Sequence, residues 1–207
     1  DIIFSLFFYF NNNRMCYHVK VNKTKKELEN NTRIPFLSNQ KFEPKEHFNG
    51  FAHPYLPIIK TGQEAIELLQ WGLKPSWAQE DFDTNNTLNA RVETLEEKPS
   101  FRESFNNRCV LVVDSFYEWR HEGRNKIRYE IGHDNELLFL AALYQNDTFS
   151  VVTTEALGVM KYIHNRKQRM PIAFDSLPSC EQWLHGEDFV PFIDFSTQRE
   201  DNQIRLF

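Results

Sequence analysis

Between residues 109 and 154 the chain offers four strand-like segments in succession, at 109–119, 127–131, 137–143 and 149–154, with turn residues between them. This succession constrains the fold more than any other feature. With no regular βαβ alternation, it predicts an α+β chain in which mainly antiparallel strands dominate. Further strands or short mixed elements are expected at 17–21, 56–60 and 65–72, and short helices at 24–29 and 99–105, the latter with Pro99 in its first turn. A helix at 177–184 is stopped by Gly186. Residues 30–49 read as polar and irregular, 71–77 as a turn flanked by two tryptophans, and the tail from about 187 is left without an assignment.

The length, 207 residues, suits one domain with a full core. Only 7 residues are Gly, which argues against glycine-rich phosphate loops. The formal net charge of −5 excludes a generally basic nucleic-acid coat, so any nucleic-acid site has to be a local patch. Cys16, Cys109 and Cys180 are widely spaced, with no C-x-x-C, and suggest neither a disulfide framework nor a zinc site. A reducing, cytoplasmic setting is expected. The apolar run at 2–10 is too short to span a bilayer. It also lacks the basic residues and cleavage site of a secretory signal. Residues 1–14 are read as upstream or non-native sequence, Met15 as the start, and 15–207 as the domain.

Four positions carry candidate chemistry. Read as one strand, 109–119 alternates so that Glu118 shares a face with Val110, Val112 and Phe116. A carboxyl on that face has a raised pKa and suits general acid or base work, but the strand alone equally fits a Glu turned out to solvent. His164 stands among Lys161, Arg166, Lys167 and Arg169. That patch attracts phosphate, though a charge run is usually a solvated loop. Asn89-Ala90-Arg91 offers directional hydrogen bonds for a phosphate or a nucleophile, and taken alone it also fits a surface ion pair. Cys16 follows Met15 directly. Once Met15 is absent, Cys16 carries a free α-amine, with a pKa of about 7.7–8.0, beside a thiol. The amine attacks an aldehyde to give a Schiff base, and the thiol closes a thiazolidine. A ring-opened abasic deoxyribose presents such an aldehyde. The same residue is also compatible with an ordinary small side chain at a strand start.

The ordered series Met15-Cys16, Trp71-Gly72-Leu73 with Pro75 and Trp77, Asn89-Ala90-Arg91 with Glu93-Thr94, Pro99-Ser100-Phe101-Arg102, Arg108-Cys109, Phe116-Tyr117-Glu118-Trp119, His164 and Arg169-Met170-Pro171 resembles the SRAP family of SOS response-associated peptidases, or abasic-site-processing proteins. It covers most of the chain from 15 to about 185. The resemblance implies a single domain with a curved or barrel-like core of mainly antiparallel strands and a few short helices. It implies Cys16 as nucleophile and cross-linking residue, Asn89 positioning its terminus, and Glu118 moving protons. His164 would assist ring opening and reversal. Arg91, Arg102 and Arg169 are candidates to hold the DNA backbone, with Trp71 as a base-stacking wedge. No metal or organic cofactor is required. The partner is single-stranded DNA with abasic sites, with no membrane, and the expected state is a monomer. Lyase cleavage and self-processing are further implied activities.

The chain departs from the family pattern at two places. Three extra residues separate His164 from Arg169-Met170-Pro171, so Arg166 competes with Arg169 for the phosphate role. Tyr17-His18 stands where the family often has Gly-Arg, and His18 supplies a cation only when protonated. Two other functions remain open: a thiol peptidase or N-terminal-nucleophile hydrolase acting on proteins, and a non-catalytic single-strand binding module. The absence of a P-loop, H-E-x-x-H or dinucleotide fingerprint weakens several other enzyme classes.

Overall fold

The structure, a computed structural model, describes residues 17–37 and 40–200. The first elements are β1 (His18–Val21), α1 (Lys25–Thr32), β2 (Lys45–Asn49), β3 (Tyr55–Lys60), β4 (Ile66–Trp71) and β5 (Asn89–Arg91). They are followed by α2 (Pro99–Arg102), β6 (Arg108–Val113), β7 (Ser115–Glu122), β8 (Asn125–Gly132), β9 (Leu138–Gln145) and β10 (Thr148–Glu155). The chain then forms α3 (Met160–Ile163), β11 (Arg169–Pro171), β12 (Ala173–Phe174), α4 (Leu177–His185) and β13 (Ser196–Glu200). No described helix is long and apolar enough to cross a membrane.

Two sheets result. One has five strands in the order β13-β8-β7-β1-β2. The other runs β11-β10-β4-β3-β6-β9-β12, and because β9 also pairs with β10, five of its strands close into a ring. Pairing is antiparallel, as expected, except where β4 and β5 run parallel to β10. Consecutive apolar residues fill this ring: all six residues of β6 and the first six of β9 are buried. Such runs belong to strands covered on both faces.

Two expectations are corrected, and the tail gains a strand. The segment 109–119 is two strands, not one: β6 lies in the ring and β7 in the five-stranded sheet, with the change of sheet at Asp114. Asp114 fastens that corner, its carboxylate accepting from the backbone N–H of Asn22 (2.6 Å) and pairing with Lys23 Nζ (2.5 Å). The polar stretch 30–49 contains β2, which buries only Phe48 and so carries no alternating signal. The unassigned tail contains β13, paired along its length with β8. Ahead of it, Phe189 meets Trp183 beside the ring, while Phe195 meets Phe116 of the other sheet, so this segment bridges both.

Candidate active site

The candidate cleft lies where β1 stops running beside β7. β1 pairs with β7 at Val19↔Phe116 and Lys20↔Ser115, and beyond that this edge of β7 has no strand beside it among the described residues. The gap is a cleft of about 430 Å³. Its walls are the start of β1 (Tyr17, His18), the turn after β2 (Asn49, Phe51), the outer half of β7 (Glu118, Trp119, His121) with Lys126, and the loop after α3 (His164, Arg166, Lys167).

Glu118 sits at the bottom of the cleft. The first four residues of β7 are buried whichever way they point, so Glu118 is only 4% exposed. Alternation with Val110 and Val112 is not the cause, since they belong to the other sheet. Burial, opposed by a hydrogen bond from the Trp119 backbone, pushes the carboxyl up to about 8. Its Oε1 is buried without a hydrogen-bond partner among the described residues. Its Oε2 lies 4.0 Å from His164 Nε2. That separation is too long for a hydrogen bond, and it leaves the two groups near one another in the cleft.

His164 ends α3 and is 5% exposed. Its Nδ1 stands 2.6 Å from the Arg169 carbonyl oxygen. The Arg169 N–H also lies 3.3 Å from Nδ1, so both backbone groups of Arg169 hold this edge of the ring and Nε2 is the ring nitrogen on the Glu118 side. The loop holding this histidine is fixed to β7. Asn165 Oδ1 accepts from the His121 N–H (3.1 Å) and Asn165 Nδ2 donates to the His121 carbonyl (2.9 Å), as a neighbouring strand would do. Arg120 lies 3.6 Å from the Tyr162 ring and donates to the Tyr162 carbonyl. Sequence reasoning missed Asn165, Arg120 and Tyr162, because their role is to join segments far apart in the chain.

The rim is basic. Lys126 and Arg166 are exposed, and burial followed by the charges of Arg166 and Lys126 holds His121 below its ordinary pKa. Burial and then the Arg91 charge lower Lys167, so the exposed Arg91 extends the same field. A net-acidic chain thus concentrates positive charge at one mouth.

The remaining candidates stand as follows. Cys16 falls outside the described residues; its chain neighbour Tyr17 lines the cleft. Asn89 is buried at the start of β5, opposite Val151 of β10, and is not among the described residues lining the cleft. Arg169 is committed internally: it makes a two-pronged pair with Glu93 (2.7 and 2.9 Å) and donates to the Thr153 carbonyl (2.8 Å). Of the two competing arginines, only Arg166 reaches the cleft. Arg102 donates to the Glu96 and Glu97 carbonyls (3.0 Å each) and braces the turn before α2. Trp71 is a correction: it is fully buried, stacks on Phe149 and donates from Nε1 to the Leu88 carbonyl at 2.8 Å. Such a ring has no free face for a base. The glycine after it is equally structural: Gly72 has φ +119°, and a Cβ there would lie 2.7 Å from His53.

A family model described as SOS response associated peptidase (SRAP) matches residues 15–200. The chain belongs to the SRAP family. Among its SRAP relatives, an abasic site processing protein of Saccharomyces cerevisiae is 29% identical over 172 residues, covering 78% of this chain and 44% of the relative. The abasic site processing protein YoaM of Bacillus subtilis is 34% identical over 149 residues, covering 66% and 64%. The chain therefore spans about half to two thirds of these relatives. A solved protein from Bacteroides thetaiotaomicron superposes with a TM-score of 0.78 at 29% identity, over 90% of this chain and 93% of that one.

Proposed function

We propose that this SRAP protein captures abasic sites in single-stranded DNA covalently, through the α-amine and thiol of Cys16 once it is the first residue. One observation carries the reading: Tyr17, which follows Cys16 in the chain, shares a basic-rimmed cleft with Glu118 and His164. The names of the relatives, abasic site processing proteins, support it.

The neutral amine attacks C1′ of the ring-opened sugar, giving a carbinolamine, and loss of water gives the Schiff base. The thiol then adds to the imine carbon, and its proton passes to the nitrogen, closing the thiazolidine. Glu118, protonated below about pH 8, donates the proton that expels water and takes up the one that leaves nitrogen as the neutral imine forms. His164 Nε2 takes up and returns protons during ring opening and reversal. Asn89 positions the terminus, and Arg91, Lys126, Arg166 and Lys167 hold the phosphates. Elimination from the Schiff base, before thiazolidine closure, is the lyase side reaction.

The test is a heat-stable shifted band when protein beginning at Cys16 meets single-stranded DNA holding one abasic site. Absence of the band with a verified free N-terminus overturns the reading. Peptide cleavage in trans, lost with Cys16→Ala, would instead favour the peptidase function.

A further inference from the structure

The cleft contains an exposed aromatic ring that proton transfer and phosphate binding do not use. Phe51 is 44% exposed and lines the same cavity as Glu118 and His164. Its position is fixed from several sides. Asn49 Oδ1 accepts from the Phe51 N–H at 3.1 Å, and the Gly50 N–H donates to the Tyr17 carbonyl at 2.7 Å. Gly50 lies so close to the Trp71 indole that a Cβ there would come within 3.3 Å of it. His53 closes the turn with its N–H on the Gly50 carbonyl (2.9 Å) and its Nδ1 2.7 Å from the Trp71 carbonyl oxygen. The Phe51 ring rests on Tyr17, with centroids 4.7 Å apart and planes at 52°. One edge is thereby anchored while much of the ring stays open to water.

An abasic nucleotide has no base to recognise. A single strand containing one can be gripped only through its phosphates and its neighbouring bases. Basic rims with fixed aromatic rings form the usual platform for single strands, and stacking tolerates any base. We propose that Phe51 is the stacking platform for the nucleobase adjoining the abasic site. Tyr17 is both the support of Phe51 and the chain neighbour of Cys16, so the stacked base belongs to a nucleotide next to the reacting sugar. This subsite rests on the reading of the cleft as an abasic-DNA site.

The test uses protein beginning at Cys16 and short single strands carrying a tetrahydrofuran abasic analogue, which has no aldehyde and cannot react. Affinity is measured by fluorescence anisotropy, with either adenine or a second tetrahydrofuran placed on each side of the first. Wild-type protein is expected to favour the adenine neighbour on one side by roughly 5- to 150-fold. Phe51→Ala and Phe51→Leu should lose that preference, and Phe51→Trp should keep it. Unchanged thermal midpoints check that the turn is intact. If a reactive abasic strand still cross-links but wild type shows no preference on either side, or Phe51→Ala keeps it, this subsite alone is overturned. If no strand binds and none cross-links, both readings fail together.

Discussion

Glu118 ties a stability prediction to a chemical one. Its folded pKa of about 8 lies above the 4.5 of a free carboxyl, so the neutral form is the one that the fold favours. Its contribution to stability is therefore complete below pH 4.5 and is lost as pH rises to about 8. Glu118→Gln removes that slope. Thermal midpoints of wild type relative to the variant should fall between pH 5 and 8 and level off above; parallel curves would mean that Glu118 is ionised when folded. The cross-linking rate should peak near pH 8, where a free amine and a protonated Glu118 coexist, and Glu118→Gln should be slow with no alkaline decline. The two arginines separate by their partners. Arg169→Ala should lower stability by about 1–2 kcal/mol in urea, because it removes the donor of the Thr153 carbonyl and the two-pronged pair with the half-exposed Glu93. Arg166→Ala should leave stability unchanged and reduce the salt slope of single-strand binding by about 0.7. The two arginines stand three residues apart in the sequence, and either could take the phosphate role. Only packing distinguishes the committed guanidinium from the exposed one.

The decisive element is the loop from His164 to Arg169. Asn165 at its start occupies the strand position that β1 leaves open beside β7. That contact sets how His164 faces Glu118. Asn165→Ala should slow cross-linking by about tenfold, with equilibrium binding of undamaged single strands nearly unchanged, consistent with the loss of two hydrogen bonds of about 0.5–1.5 kcal/mol each. A matching fall in binding would show that the loop acts mainly on the strand. The helices at 24–29 and 177–184 were legible because their signals are local: Thr24 and Ser176 cap them, and Gly186 ends the second in a left-handed conformation. The strands β2 and β13 were not legible. Their burial patterns contain at most one buried residue, and they exist because another strand's edge needs hydrogen-bond partners.

Across the whole molecule, the site depends on two sheets meeting at a fixed corner. Asp114 holds that corner, and Asp114→Ala should cost about 2–4 kcal/mol while preserving one cooperative transition, measured by urea unfolding. Separate transitions for the two sheets would refute the coupling that the Phe189 to Phe195 segment provides. The sequence by itself determined the strand-rich class, the approximate strand positions, the ordered family motifs, and the residue types available for the chemistry. Those follow from local periodicity and from side-chain identity. Tertiary structure decided that 109–119 divides between two sheets, that Trp71 is core and not wedge, and that Arg166 faces the cleft while Arg169 does not. It also brought Phe51 beside Tyr17. Burial and pairing depend on which distant segments cover a residue, and a pattern read along one strand carries no record of them.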